Sequence, residues 1–266
     1  MKEINTTIKT KRNTDMPVTI IDGEIGKGPL VIYVHGFKAN RTEDGRFLEM
    51  ARRLNAYGIC MGFAGCDVTE EGFFSYTLDN CLDDIETAYT YMLENYDIDG
   101  EHLGIVGYSM GGRLSTIFTN RHKEFKTMGL WAAATQDSSF DDDVFLGNNL
   151  KKLIDDYKEK GYCEFFNLFD NNVLKMNYKL IENMVEYRPC EYLKEYEGSV
   201  ILVHGTKDIA VDPKASEVAY NSLDKANKKV LHVIEETDHG FGFWDNHMEK
   251  SEELVSNTAT FFKENL

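Results

Sequence analysis

Apolar and polar positions follow two different periods along this chain. Residues 30–34 (LVIYV) form a continuous apolar run, which is typical of a strand buried on both faces. Residues 78–96 carry an apolar side chain at every third or fourth position, which predicts an amphipathic helix with Thr77 as its N-cap. The same criteria predict strands at residues 59–64, 102–106, 127–134, 200–203 and 230–234, and helices at residues 43–56, from 110 to about 120, from 213 onward and 249–264.

Residues 135–197 interrupt this alternation of strands and helices. They hold no clear buried strand, but two or three short helical patterns, an acidic run at 141–143 and many aromatic residues. The stretch is too long for a simple loop, and ligands of open α/β sheets bind beyond the carboxyl ends of the strands. We therefore expect a lid or cap here, although a pair of packing helices without a binding role stays the alternative.

The remaining residues, 1–134 and 198–266, are expected to form the core around this insert. Alternating strands and helices predict an α/β fold, with a mostly parallel sheet of about eight strands covered by helices on both faces.

The net charge of −16 narrows the classes of partner. Nucleic acids and anionic membranes bind clustered Lys and Arg, so this chain is expected to bind neither. It has no run of 18 apolar residues and no apolar signal-peptide core at its start, so we expect no membrane span and a cytoplasmic location. The five scattered cysteines predict reduced thiols, and no ligand spacing predicts a metal. A homodimer is compatible with the sequence, which does not define the oligomeric state.

The pentapeptide at residues 107–111, GYSMG, lies where a predicted strand meets a predicted helix. A serine in this pattern and place predicts a nucleophile elbow. The flanking glycines have a physical role, because the serine occupies a strained backbone position and larger neighbours would clash. The alternative is a plain turn in which Ser109 caps the helix.

A serine hydroxyl needs a base to take its proton, and the chain has seven histidines. His239 lies in a turn between the last predicted strand and the last helix, where it is free to point at the elbow; a surface histidine is the alternative. Asp208 follows the strand at 200–203 and is the candidate to orient the imidazole. Asp212 is better explained as a helix cap, and Asp238 is too close in sequence to hold the ring.

Acyl transfer places negative charge on a carbonyl oxygen, so two backbone N–H groups must already point at that oxygen. The amide of Met110 directly follows the serine. The amide of Phe37 lies in the loop after the first buried strand, which reads HGF at residues 35–37. These two amides are the expected oxyanion hole.

With these features in order, the chain resembles the α/β-hydrolase superfamily of serine hydrolases. It is most similar to the bacterial cinnamoyl/feruloyl esterases and the related monoacylglycerol-lipase and serine-aminopeptidase-like hydrolases. The resemblance covers nearly the whole chain and includes HGF, GYSMGG, HGTKD and DHGF at residues 35–37, 107–112, 204–208 and 238–241. It implies hydrolysis of a carboxylic ester through an acyl-enzyme without a cofactor, and an insert that forms part of a phenolic pocket.

Two departures from this resemblance concern the substrate. Relatives usually carry a Gly-His-Gly-like stretch with a following Ser where this chain reads AGCDVTEEG at residues 64–72. The elbow holds Tyr108 and Met110, where feruloyl esterases often have His and Gln. These departures leave the predicted catalytic residues unchanged, but they do not define which acyl group the substrate carries.

An esterase of small or aromatic acyl groups has several alternatives on this fold. A thioesterase or a small-peptide hydrolase would use the same machinery. A protein of this fold that binds a ligand without catalysis would keep the pocket. A dehalogenase or epoxide hydrolase needs an aspartate at the elbow, and the serine at position 109 argues against it. The aromatic insert and the negative net charge favour a neutral, apolar or aromatic small-molecule ester.

Overall fold

Eight strands form one sheet in the order β1-β2-β4-β3-β5-β6-β11-β12. The computed structural model describes residues 1–63, 73–167, 171–244 and 246–266. The strands of this sheet are β1 (Lys2–Lys9), β2 (Asp15–Asp22), β3 (Gly28–Val34), β4 (Tyr57–Met61), β5 (Ile98–Tyr108), β6 (Phe125–Trp131), β11 (Ser199–Gly205) and β12 (Lys228–Ile234). Strands β3 to β6, β11 and β12 pair in parallel, while β1 and β2 run antiparallel to their neighbours. The predicted mostly parallel sheet is confirmed.

Helices cover both faces of the sheet. They are α1 (Arg46–Ala51), α2 (Leu78–Asn95), α3 (Met110–Arg121), α4 (Leu150–Lys160), α5 (Lys179–Glu186), α6 (Pro189–Lys194), α7 (Lys214–Ser222) and α8 (Met248–Asn265). Alternate residues of β3 enter two separate cores: Leu30 and Ile32 pack in the cluster that includes α2 and α3, and Val31 and Tyr33 in the cluster that includes α1 and α8. A strand with a core on each side needs apolar residues at every position, which explains its unbroken apolar run.

The predicted helix at 78–96 is confirmed as α2, and Thr77 caps it by accepting a hydrogen bond of 3.2 Å from the amide of Asn80. The predicted helix at 43–56 is too long, because α1 has six residues. Glu43, Asp44 and Gly45 all have positive φ, so the backbone cannot be helical before Arg46.

Two predicted strands extend beyond their observed C-terminal ends. β6 ends at Trp131 because Ala132 adopts a φ of 41°, so the strand predicted at 127–134 is too long. β4 begins two residues earlier than the strand predicted at 59–64 and ends at Met61. Residues 64–72, including the departure from the esterase pattern, lie outside the described residues.

The N-terminal hairpin of β1 and β2 was not predicted. In β1 only Ile8 is buried, because this strand is at the edge of the sheet. An edge strand that buries so little has no apolar run or alternation for sequence reasoning to find.

Between β6 and β11 lie α4, α5, α6 and two small sheets. The expectation that this insert holds no buried strand is wrong. β9 (Cys163–Asn167) pairs antiparallel with β10 (Asn172–Met176), and the inward residues Cys163, Phe165 and Met176 are buried. Only alternate residues face inward in strands of five residues, so their apolar signal is short. β7 (Val144–Phe145) and β8 (Asn148–Asn149) form the other pair.

Candidate active site

The serine of GYSMG lies on a sharp turn between β5 and α3. Ser109 has φ 55° and ψ −117°, a combination that a side-chain-bearing residue adopts only when its surroundings impose it. Its amide donates to the carbonyl of Trp131 at 2.8 Å, and its carbonyl accepts from the amide of Ala134 at 3.0 Å. These bonds to the end of β6 and the residues after it hold the strained residue in place.

Both glycines of the motif are required by close backbone approach. A Cβ atom at Gly111 would collide with the carbonyl of Val34 in β3, and one at Gly107 with the carbonyl of Gly111. The following helix therefore packs against the sheet only when these positions lack a side chain, as the motif predicts.

The imidazole of His239 contacts the carboxylate of Asp208. Nδ1 of His239 lies 2.6 Å from Oδ2 of Asp208, and both side chains are buried. The other carboxylate oxygen accepts hydrogen bonds of 2.9 Å from the amides of Ala210 and Val211. Burial by itself would raise the pKa of Asp208, but hydrogen bonds from His204 and His239 outweigh it and hold that pKa well below its usual range. Asp208 is therefore an anion beside the imidazole.

The two rival aspartates lie elsewhere. Oδ1 of Asp212 accepts a hydrogen bond of 2.9 Å from the amide of Lys214, the first residue of α7, but the N-cap of that helix is Pro213, one residue later than predicted. Asp238 forms no hydrogen bond with the ring of His239 in the described part of the chain.

Tyr108 links the elbow to the turn that carries His239. Its hydroxyl donates to the carbonyl of His239 at 2.8 Å, and the two ring centres are 5.0 Å apart. Burial raises the pKa of Tyr108 well above its ordinary value, so the hydroxyl stays protonated as a donor. The hydroxyl of Ser109 itself forms no hydrogen bond with His239 in the described residues. Hydrogen bonds of this kind often tighten only when substrate is bound.

The two expected oxyanion donors are free of other acceptors. Within the described residues, the amides of Phe37 and Met110 donate no hydrogen bond. Met110 opens α3 directly after Ser109. The HGF loop, residues 35–37, passes close to the elbow, since a Cβ atom built on Gly36 would lie 3.3 Å from Cβ of Ser109. Two unpaired N–H groups near one nucleophile are what an oxyanion hole requires.

Aromatic rings surround the side chain of Phe37. Its ring centre lies 5.7 Å from that of Phe73, 5.2 Å from that of Tyr76 and 6.0 Å from that of Phe165, all near edge-on. Phe165 belongs to β9, so the insert contacts the HGF loop directly.

Sequence reasoning missed three charged or polar residues at this site. Glu43 and Arg46 lie within the predicted helix at residues 43–56, and the structure buries both side chains, with Glu43 bonded to the HGF loop. His204 is the last residue but one of the buried strand β11, and its Nε2 lies 3.1 Å from Oδ2 of Asp208. Only the position of His204, at the inner end of a buried strand, offered a signal in the sequence.

Three of the described cysteines are poorly suited to act as nucleophiles. Burial raises the pKa of Cys163 to about 11 and raises the pKa of Cys60 and Cys190 as well, so these thiols are poor nucleophiles near neutral pH. Among the residues that the structure describes, no group of three or more His, Cys, Asp or Glu could hold a metal ion, and no helix is long and apolar enough to span a membrane.

Comparisons with known structures give the fold. Est1E from Butyrivibrio proteoclasticus superposes with a TM-score of 0.78 at 18% identity, over 98% of each chain, and its complex with ferulic acid with a TM-score of 0.80. The Pyrococcus furiosus esterase Pf2001 superposes with a TM-score of 0.67 at 17% identity, over 99% of this chain and 93% of that one. No curated protein sequence matches the chain.

The sequence of residues 76–266 matches the prolyl oligopeptidase family. That segment is more than half of the 266 residues and includes the elbow, Asp208 and His239. With the eight-stranded sheet and its structural relatives, this match confirms the predicted α/β-hydrolase fold. The chain belongs to the prolyl oligopeptidase family and is a hydrolase of the serine-hydrolase type.

Proposed function

We propose that this protein hydrolyses neutral carboxylic esters with small or aromatic acyl groups through an acyl-enzyme on Ser109. The observation that carries the proposal is the strained Ser109 elbow beside the buried pair of Asp208 and His239, 2.6 Å apart.

In the first half-reaction the hydroxyl oxygen of Ser109 attacks the ester carbonyl carbon while His239 takes the hydroxyl proton. Asp208 orients the ring and stabilises its charged form. The amides of Phe37 and Met110 donate to the oxyanion of the tetrahedral intermediate. When the intermediate collapses, the C–O bond to the alcohol breaks and His239 protonates the leaving oxygen.

In the second half-reaction water takes the place of the alcohol. His239 accepts a proton from that water as it attacks the acyl carbon, and returns the proton to the oxygen of Ser109 when the acid leaves. The cycle consumes one water and regenerates the serine.

We also propose that residues 135–197 act as a lid over this end of the sheet, inserted into a core of residues 1–134 and 198–266. The edge-on packing of Phe165 against Phe37 supports the lid, because it brings the insert to the HGF loop. An aromatic lining of this kind favours an apolar or aromatic acyl group. Est1E, whose structure holds ferulic acid, supports an aromatic acyl group by analogy.

A small-peptide hydrolase is the second candidate, and the match to the prolyl oligopeptidase family favours it. The same nucleophile and base can cleave esters, amides and thioesters, so the first experiment includes all three substrate classes.

The first experiment measures hydrolysis of p-nitrophenyl esters from C2 to C12 and of methyl ferulate, beside a dipeptide p-nitroanilide and an acyl thioester. We expect ester turnover that Ser109→Ala lowers by roughly a thousandfold or more, and fluorophosphonate labelling that Ser109→Ala abolishes. Ser222→Ala, at a half-buried serine of α7 whose hydroxyl donates to the carbonyl of Val218, is the control. Equal ester turnover in wild type and Ser109→Ala would refute the proposal, and turnover of the anilide alone would replace it with the peptidase.

A further inference from the structure

A buried ion pair lies behind the HGF loop. Glu43 and Arg46 are only 2% and 4% exposed, and Oε2 of Glu43 lies 3.3 Å from an Nη of Arg46. The Nε of Arg46 also donates to the backbone carbonyl of Glu43 at 3.0 Å. A buried ion pair adds little net stability because both charges lose their hydration, so its presence here calls for a role in placing groups.

Glu43 fixes one side of Gly36. Its Oε1 accepts a hydrogen bond of 2.6 Å from the amide of Gly36. The carbonyl of Gly36 is held by Nδ1 of His35 at 2.8 Å and by the amide of Ala39 at 3.3 Å. Because a trans peptide is planar, the N–H of Phe37 points opposite to that carbonyl. These contacts therefore set the direction of the amide of Phe37.

Arg46 fixes the turn on the other side of the site. One Nη donates to the carbonyl of Gly240 at 2.9 Å, directly after His239. Its guanidinium carbon lies 5.0 Å from the ring centre of Tyr108 and 5.5 Å from that of Phe243. Since the hydroxyl of Tyr108 also donates to the carbonyl of His239, the two successive peptides that follow His239 are both held.

We propose that Glu43 and Arg46 are positioning residues that couple the direction of the Phe37 amide to the placement of His239. This inference rests on the proposed function, because it assigns the pair to that same site. Neither side chain contacts the reacting atoms; each acts through a backbone group that does.

The charge of Glu43 makes the coupling depend on pH. Burial raises the pKa of Glu43 to about 7, although the Gly36 amide and Arg46 act in the opposite direction. The charged or titratable groups facing it are Arg46 and Asp44 from its own segment and Tyr108 from β5. His35 lies on the far side of Gly36; burial lowers its pKa to about 4, so it stays neutral near pH 7.

These charges fix the direction in which the two contacts change with pH. As pH falls through about 7, Glu43 gains a proton, accepts less strongly from Gly36 and no longer neutralises Arg46. Both contacts of the pair therefore weaken together in acid.

The first test uses no substrate. The backbone amide signals of Gly36, Phe37 and Gly240 are followed by ¹⁵N NMR between pH 5.5 and 8.5. We expect all three to shift with one common midpoint near 7, and Glu43→Gln to remove that titration from all three. Three signals that stay constant, or that titrate unchanged in Glu43→Gln, would overturn the coupling.

The second test uses the ester that wild type hydrolyses best. Glu43→Gln, nearly identical in shape, is expected to lower kcat by roughly tenfold, less than the loss of a whole oxyanion donor, with KM within twofold. Arg46→Lys keeps the positive charge but loses the planar guanidinium, whose separate nitrogens bond Glu43 and Gly240. It should lower kcat by a similar factor and leave KM unchanged. Glu49→Gln, an exposed carboxylate of α1, is the matched control.

The outcomes separate this inference from the proposed function. If wild type turns over ester and Ser109→Ala does not, while Glu43→Gln and Arg46→Lys keep full kcat, the positioning role is wrong and the esterase stands. If wild type hydrolyses no ester, the proposed function fails, and the NMR titration still decides the coupling. Circular dichroism confirms that each variant is folded.

Discussion

Two histidines approach the same oxygen of Asp208. His239 contacts Oδ2 through Nδ1 at 2.6 Å, and His204 contacts it through Nε2 at 3.1 Å. The Nε2 of His204 also lies 3.0 Å from the carbonyl of Val211, which can only accept, so this nitrogen carries the proton. Its Nδ1 faces the hydroxyl of Ser216 at 2.6 Å. His204 is thus a fixed donor that shares the charge of Asp208 with His239.

Replacing His204 is expected to change the pH dependence of kcat/KM in one direction. In His204→Phe, which keeps a ring of similar size, Asp208 interacts more strongly with the protonated ring of His239. Because the ring must lose its proton to act as a base, the acid limb of kcat/KM is expected to move upward by about half a pH unit or more. The measurement is the pH profile of ester hydrolysis.

Ser216→Ala is the control for this change, because it removes a partner of His204 without touching Asp208. It should move the limb by much less. An unshifted limb in His204→Phe would show that His204 serves packing alone.

At the scale of elements, the elbow helix and the insert are joined by one buried arginine. Arg113 of α3 donates to the carbonyls of Ala134 and Gln136 at 3.1 and 2.7 Å, and to those of Met184 and Tyr187 at 2.7 and 3.0 Å. Burial lowers the pKa of Arg113 to about 10, which still leaves it charged at neutral pH. The first two carbonyls follow β6 and the last two belong to α5 and its end, so the guanidinium connects the insert to the helix that begins directly after Ser109.

Arg113→Met would leave four carbonyls without this donor, that of Met184 in a buried position and the other three in partly buried ones. Since each unsatisfied buried acceptor costs about 1 kcal/mol or more, we expect a loss of about 3 kcal/mol in the free energy of unfolding, measured by urea denaturation. Arg121→Met, at the exposed end of the same helix, should change it by less than about 1 kcal/mol. Equal losses in the two variants would contradict the assignment of Arg113 as the junction.

At the scale of the whole molecule, the excess of sixteen negative charges repels itself in the folded state. Salt screens such repulsion over roughly 8–10 Å at physiological ionic strength. We expect the Tm at pH 7.5 to rise by about 3 °C or more between 10 and 300 mM NaCl, since about 1 kcal/mol shifts Tm by a few degrees in a chain of this size. Differential scanning calorimetry measures this change.

The same scan near the isoelectric point, about 4.9, is the comparison. There the net charge is near zero, so salt should have little effect. A salt response of the same size at both values of pH would assign it to something other than net charge.

The sequence by itself determined the six parallel strands β3 to β6, β11 and β12 and the order of the predicted catalytic residues along the chain. The continuous apolar runs of β3 and β11 and the period of α2 depend on local spacing alone, and they were found within a few residues of their ends. The glycines on either side of Ser109 indicate positions where a side chain does not fit. In the structure, a Cβ atom at Gly107 or Gly111 would collide with a backbone carbonyl.

Only the tertiary structure decided which polar groups meet. The edge strand β1 buries a single apolar residue, so pairing with β2 rather than its own pattern makes it a strand. Glu43 and Arg46 look like solvated charges of a surface helix, and His204 like a strand residue, until the fold buries them against Gly36, Gly240 and Asp208. Burial and partners are properties of packing between distant segments, and no local spacing encodes them.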